Sequence, residues 1–495
     1  MTSAPLTVYD RGQRPYPRRD LLRVSLLGRL ARWKHGRSAM QVPLLMLAAL
    51  VLYDGFFGPS LAPKNLAGVL PWVHWRGLVV LALLLAGNLF CMACPFMLPR
   101  RLGKKLGLDG HAWPRRLPGK WLAAGLLVAY FWGYEAFDLW ASPWLTAWVV
   151  AGYFLAAFVI DAFFKGAAFC KHVCPIGQFN FVNSMTSPVE VAVRDPRTCL
   201  DCTTKDCIRG RVDPQTAAIT QPGCELWLFQ QRKIGNMDCT FCLDCVRACP
   251  YDNVGVLYRN PLGDLSSTAN RSGIGRLGER LDIAALILVL VFGSVVNAFG
   301  MVSPVYRLER WLAGVLGASS EPVVLGLIFV TGIAVIPAAL TGIAAWASRQ
   351  LAGAGAGPAR VVAIAARYIP ALIPLGFAMW LAHYGYHFFT GALTIVPLAQ
   401  SFLADMGIGI LGEPRWDLAP ILPSKVIDYI EVAALGLGFY TSVAVARSIA
   451  ADVHADPAAA RRAVVPWVIL AALILGASIL LMSLPMDMRG VSLPG

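Results

Sequence analysis

Nine stretches of nearly uniform apolarity, each about 20 residues long, recur along this 495-residue chain, and one long polar segment divides them. A helix needs about 20 apolar residues to cross the hydrocarbon core of a bilayer. The expected spans are residues 39–58, 73–93, 120–138, 143–164, 281–301, 322–346, 363–389, 426–448 and 464–484. The composition agrees, because 57% hydrophobic with only 15% charged residues is too apolar for an ordinary soluble protein. The expected fold class is mainly α, a polytopic membrane protein of about nine transmembrane helices. Its expected parts are a basic N-terminal segment (1–38), a first bundle of about four helices (39–164), a cysteine-rich extramembrane domain (165–280) and a second bundle of about five helices (281–495).

The formal charge of +14 raises the question of a nucleic-acid partner. The basic residues, however, flank apolar runs, and that pattern reports membrane orientation. Arginines and lysines crowd the segment before the first span, and Arg100, Arg101, Lys104, Lys105, Arg115 and Arg116 follow the second. Arg349 and Arg360 follow the sixth, and Arg447, Arg461 and Arg462 the eighth. The loops between, such as 54–72 and 390–425, carry fewer. This alternation predicts a cytoplasmic N-terminus, a cytoplasmic polar domain and a periplasmic C-terminus in a bacterial inner membrane, with lipid as the surrounding partner and no nucleic acid. The stretch "RRDLLRVSLLGRLARWK" (18–34) reads either as an interfacial amphipathic helix or as a solvated basic tail. The Gly-rich "GAGAGPAR" (353–360) reads as a short inner loop. No cleavable signal peptide is expected.

All twelve cysteines lie between Cys91 and Cys249. On a reducing face of the membrane structural disulfides are rare, so thiols there point to metal. "CTFCLDCVRACP" (239–250) has the Cys-x2-Cys-x2-Cys-x3-Cys-Pro spacing of a bacterial-type [4Fe–4S] ferredoxin. Three thiolates from one tight loop reach three corners of a cube, and the fourth ligates the neighbouring cube. A zinc site is the alternative, but zinc ligands usually come as separated pairs. "CLDCTTKDC" (199–207), followed after a 16-residue insertion by Cys224, is a degenerate copy of the same unit. Ligand exchange then predicts one 4Fe–4S cluster on Cys199, Cys202, Cys207 and Cys249, and a second on Cys224, Cys239, Cys242 and Cys245. Cys91 and Cys94 in "CMACP" and Cys170 and Cys174 in "CKHVCP" remain. Both pairs follow spans that end on the inner face, as a third four-ligand site requires. A third 4Fe–4S cluster is the preferred reading, with zinc, copper or paired redox thiols as alternatives. His172 reads as a bystander.

These motifs resemble the membrane-bound polyferredoxins over roughly residues 70–255. That family includes the integral membrane ferredoxin of periplasmic nitrate reductase systems, the membrane regulator of nitrous oxide reductase, and an accessory protein of cbb3-type oxidase assembly. Its span-end motif is Cys-x3-Cys-Pro, which "CKHVCP" matches and "CMACP" misses by one residue. The resemblance implies an iron–sulfur, ferredoxin-like insert and electron transport between the two faces of a membrane.

A transmembrane electron path needs a relay beyond the inner face. His74 in "PWVHWRG" and His383 and His387 in "WLAHYGYHFF" fall at one outer depth, the last two one helical turn apart. They are candidate ligands of a b-type haem. Their alternative role is interfacial packing in aromatic belts. On one continuous helix, His74 and Cys91 would stand about 25 Å apart. Arg76 would meet a haem propionate, or Asp54, Glu135 or Asp138. Those acids, with Asp428 and Glu431, are candidates for a quinone site, and Asp161 is expected to cap or pair at the inner edge. The function expected is electron transfer between inner-face clusters and a membrane or periplasmic redox partner, such as a cytochrome, a ferredoxin, a periplasmic reductase or a quinone. The alternatives are a quinol dehydrogenase or metal-ion reductase, and a redox-sensing or maturation factor. An electron-transfer subunit is favoured over a stand-alone enzyme.

Overall fold

The computed structural model describes residues 19–106, 110–114, 116, 117, 119–317, 320–353 and 360–486. Residues 1–18 of the basic segment, the Gly-rich run 354–359 and the C-terminal residues 487–495 lie outside that set.

The described chain is mainly helical. It opens with a short helix, α1 (Ser25–Arg32), whose Leu26, Leu27 and Leu30 are exposed beside Arg29 and Arg32. Among the described residues, eight helices are long and apolar enough to cross a membrane: α2 (Gly36–Phe57), α3 (Leu66–Ala86), α5 (Pro143–Phe163), α6 (Leu281–Phe299), α8 (Glu321–Ala352), α9 (Val361–Asp405), α10 (Ser424–Val453) and α11 (Pro457–Met482). The expected span 120–138 is the exception. It forms α4 (Trp121–Ala136), whose 16 residues reach about 24 Å, short of the bilayer core. An amphipathic helix not expected from the sequence, α7 (Ser303–Leu316), follows α6.

Local chemistry fixes the helix ends. Pro143 and Pro457 occupy first-turn positions, where their missing N–H is no loss. The Ser142 hydroxyl accepts from Leu145 N, and the Asp456 carboxylate from Ala458 and Ala459 N. Helices α6 and α9 are the central pillars, with 78% and 72% of their apolar windows buried, against 22% for α2 at the periphery. Trp380 of α9 stacks on Phe131 of α4 at 5.4 Å and donates its indole N–H to Leu290 O of α6. Gly438 lets α10 approach α9 closely, because a Cβ there would lie 2.5 Å from Ala378 Cβ.

The second span differs from expectation. Helix α3 runs from Leu66 to Ala86, not 73–93, and includes a π-helical turn at Leu70–Trp75. At Gly87 the chain takes a left-handed φ of 65°. Residues 89–93 then form a separate short turn of helix, and Phe90 comes back to within 4.2 Å of the Trp75 ring. His74 and Cys91 therefore do not share one straight helix. His74 also lies two turns inside α3 rather than at its start.

Between α5 and α6 lie two small antiparallel pairs. Strand β1 (Val189–Val193) pairs with β4 (Val254–Tyr258), and β2 (Arg211–Val212) with β3 (Ile219–Gln221). The β1–β4 pair brackets the cysteine loops. The 16-residue insertion is the β2–β3 hairpin, and it returns Cys224 to Cys207 through a Cys224 N–H to Cys207 O bond of 2.9 Å.

Candidate functional site

The two cysteine loops of the polar segment are built by the same backbone device. Lys205 and Leu243 both stand in the left-handed region, with φ of 54° and 60°, immediately before short helices Asp206–Arg209 and Asp244–Ala248. Cys207 and Cys245 follow at the same offset. Phe241 is left-handed as well, at 55°. Bulky residues at positive φ are strained and persist where the surroundings over-determine them, which is characteristic of loops wrapped around a ligand.

The structure brings the twelve cysteines into three groups, all as free thiols. Cys199, Cys202, Cys207 and Cys249 line one small cavity. Cys224 sits with Cys239, Cys242 and Cys245, near enough for electrostatic interaction among the thiols, and Cys245 reaches Cys207 of the first group as well. Cys91, Cys94, Cys170 and Cys174 form the third group by the same criterion. Through Cys245 and Cys207 the first two groups adjoin.

The donor environment fits iron–sulfur clusters. Backbone N–H groups donate to cysteine sulfur at Leu228 to Cys224 (3.3 Å), Asn253 to Cys249 (3.3 Å) and Gly177 to Cys174 (3.2 Å). The Asn253 and Asn180 amides donate to Cys199 and Cys91, each at 3.3 Å. Such bonds tune cluster potential. Burial raises the thiols strongly, Cys91 to about 11, Cys94 to about 12 and Cys224 to about 12. A thiolate in these positions needs a bound cation to remain ionised.

The groups are joined by direct contacts. Asn88, just before the first span-end motif, donates its amide to Cys239 O at 2.9 Å. Lys120 donates to Lys171 O at 2.7 Å, beside Cys170, and pairs with Asp238 at 2.5 Å, beside Cys239. Glu225, next to Cys224, is held by Arg37 of α2 and by Arg100, each at 3.0 Å, and accepts from Thr240. Burial pushes the Glu225 carboxyl up, but Arg37 and Arg100 more than reverse this and hold it well below the usual carboxylate range. The Asp161 carboxylate accepts from Phe169 N and lies 4.0 Å from Arg100, the capping role expected of it. His172 stacks flat on Trp113 at 4.6 Å.

Above the third group lies an apolar cavity of ≈ 170 Å³. Pro95 and Pro175, which directly follow Cys94 and Cys174, form one wall, while Trp72, Arg76, Tyr130 and Tyr384 line the rest. The Arg76 guanidinium lies over the rings of Trp72, Tyr134 and Tyr384 at 4.3, 4.7 and 5.0 Å. Its Nη2 is buried without a hydrogen-bond partner among the described residues.

The histidines are arranged otherwise than a haem requires. His74 Nε2 lies 3.1 Å from Ala392 O, with Phe388 against its ring. His383 and His387 turn toward one another, Nε2 to Nε2 at 3.1 Å. Two ligands one turn apart on one helix do not flank a porphyrin, and His74 is engaged elsewhere, so the three as placed do not fit haem b. Asp54 is not an open carboxylate facing Arg76. It accepts from Leu66 N at 2.5 Å and so starts α3. Glu225, Asn88, Lys120 and Asp238 were not singled out in the sequence, where isolated polar residues beside apolar runs carry no distinctive signal.

No known protein family, no curated protein and no solved structure matches the chain.

Proposed function

We propose that this is a membrane-bound iron–sulfur electron-transfer protein. In this reading Cys199, Cys202, Cys207 and Cys249 hold one [4Fe–4S] cluster. Cys224, Cys239, Cys242 and Cys245 hold a second, and Cys91, Cys94, Cys170 and Cys174 a third, within a ferredoxin-like insert and the adjoining span ends. A [4Fe–4S] cluster supplies one-electron transfer at a potential set by its surroundings. The carrying observation is the ordered contact between groups, from the half-exposed Cys199 group, through the buried Cys239 group, to the span-end group via Asn88 and Lys120. The basic loops orient the insert toward the cytoplasm of a bacterial inner membrane.

The chain's residues divide the work. Those around the half-exposed group meet a soluble redox partner. Glu225, Arg37 and Arg100 pin the insert to the bundle and fix the distance between groups. The cavity against Pro95 and Pro175 suits the ring of a membrane quinone, because it is apolar and offers the Arg76 guanidinium to a carbonyl oxygen. This favours a second reading in which the chain itself oxidises a quinol.

Iron and acid-labile sulfide, measured per chain on protein purified without oxygen, test the first reading. About twelve sulfides, four per cluster, is the expected result. About eight removes the third cluster, and none overturns the proposal. Anoxic reduction of the protein's visible absorbance by a short-chain quinol tests the second. A response abolished in Arg76→Leu is expected, and no response in the wild type removes the quinone.

A further inference from the structure

The His383–His387 pair has a third neighbour. Met301, in the turn that follows α6, places its Sδ 3.4 Å from His383 Nε2. The other imidazole nitrogen and the thioether sulfur, from two separate elements, thus both meet His383 Nε2, with His383 fully buried and Met301 nearly so. We infer that His383, His387 and Met301 form a binding site for one copper(I) ion.

The distances suit small-ion coordination. With metal–nitrogen and metal–sulfur bonds of about 2.0 and 2.3 Å, tetrahedral angles place two nitrogens about 3.3 Å apart, and nitrogen and sulfur about 3.5 Å apart. The observed 3.1 and 3.4 Å need adjustments of a few tenths of an ångström. A hydrogen bond between the imidazoles is the competing account of the 3.1 Å contact. One proton at His383 Nε2 can serve either the His387 nitrogen or the Met301 sulfur fully, whereas a cation can engage both at once.

The donor set selects the ion. Thioether sulfur is a soft ligand that selects copper(I), and imidazole suits copper as well. All three donors are neutral, and the surroundings are apolar. A monovalent ion loses less hydration energy there than a divalent one, since the Born cost rises with the square of the charge. The Arg76 cation is near enough to act on both imidazoles, and an acid lies beside the Met301 turn. Arg76 lies among Trp72, Tyr134 and Tyr384. Glu135 lies beside Gly300, the residue before Met301, where an added Cβ would be 3.5 Å from the Glu135 carboxyl carbon. His387 is only half-buried, which leaves an approach from its side of the pair. The site is separate from the three cysteine groups, and only the design of its test rests on those groups being loaded.

The test uses the full chain, purified anaerobically with its cysteine groups loaded, so that thiols do not compete for copper. Copper(I) is added in the presence of a chromogenic copper(I) chelator. The expected result is one chelator-resistant copper per chain, with affinity falling by about tenfold or more in Met301→Leu and in His387→Gln. Met301→Leu conserves volume in the core and so preserves the fold. Iron and sulfide content should be the same in all three proteins. X-ray absorption at the copper edge should show one sulfur scatterer in the wild type and none in Met301→Leu. Equal copper retention in wild type and both variants overturns the inference, as does retention of zinc(II) in preference to copper(I).

Discussion

The first and second cysteine groups use one loop design at two depths. Around Cys199, Cys202 and Cys207 every thiol is partly exposed, and Tyr251 beside them faces outward. Around Cys239, Cys242 and Cys245 every thiol is buried, and the surroundings are Arg37, Glu225 and Asn88, supplied by or anchored to the membrane helices. The loops share the left-handed residue, the short helix after it and the cysteine at its second position. Spacing in the chain therefore specifies which atoms can converge. Packing against other elements decides whether the result faces a partner or the membrane.

The ion pairs around the two groups follow the same division. Glu225 with Arg37 and Arg100 is almost completely enclosed, with side chains less than a tenth exposed. Arg32 with Asp252, near Cys249, is 41% and 61% exposed. Enclosed pairs are costly to break singly, because the remaining charge stays buried, whereas exposed pairs are screened by solvent.

The largest effect separates the groups most sharply. Cys242→Ala removes a thiol from the enclosed group, where the loop packs into the bundle. Loss of about four sulfides per chain together with a sharp fall in yield of folded protein is expected. Cys202→Ala should lose a similar amount of sulfide but leave the yield near wild type, since Cys202 itself is partly exposed and stands outside the core. Equal yields for the two variants, measured by size-exclusion in detergent, would remove the distinction in depth. Glu225→Gln comes next. It leaves Arg37 and Arg100 facing a neutral amide in a closed site, with Asp244 and Asp161 still 3.9 and 4.0 Å away, and a loss of up to about 3–5 kcal/mol is expected, read as the unfolding midpoint in detergent. Its pH dependence follows from the sign of the shift. The folded carboxyl is depressed, so its contribution is complete above the unfolded value of about 4.3 and is lost as pH falls through the lower folded value. The gap between wild type and Glu225→Gln should thus be constant from neutral pH down to about 5 and close only in stronger acid.

The membrane helices were legible because burial in lipid demands long apolar runs, and few other structures tolerate them. The nearness of cysteines within each loop was legible because loop spacing is a local geometric constraint. Two kinds of feature were not. Residues 89–93 are as apolar as the span before them, so nothing in their composition announces the reversal at Gly87. Single polar residues that act at a distance, such as Asn88 on Cys239 O and Glu225 on Arg37, gain their meaning only from the partner that tertiary packing supplies. Met301 is of the same kind, because a methionine after an apolar helix is ordinary until His383 lies beside it. The opposite error was also instructive. His74, His383 and His387 share an outer position in sequence, but the pair on α9 faces inward on itself while His74 satisfies Ala392.

Gly87 tests how tightly the enclosed group is tied to the second span. Its φ of 65° is adverse for any residue with a side chain, and a Cβ there would lie 2.5 Å from Phe241 Cζ. Phe241 stands between Cys239 and Cys242, so it cannot yield without moving that loop. Gly87→Ala should cost more than the roughly 1–3 kcal/mol of backbone strain alone, and it should alter the electron paramagnetic resonance spectrum of the enclosed group more than that of the exposed one. A stability loss with no spectral change would mean that the two segments only share space. Asp252→Asn is the smallest perturbation. It removes the exposed partner of Arg32, which links α1 to the outer end of the insert. The expected cost is about 0.2–1 kcal/mol, shrinking further in high salt. Sulfide content should be unchanged, because Cys249 keeps its bond from Asn253 N. A loss as large as that of Glu225→Gln would show that α1 is held by this one pair and that the exposed group depends on the membrane surface as much as the enclosed group depends on the bundle.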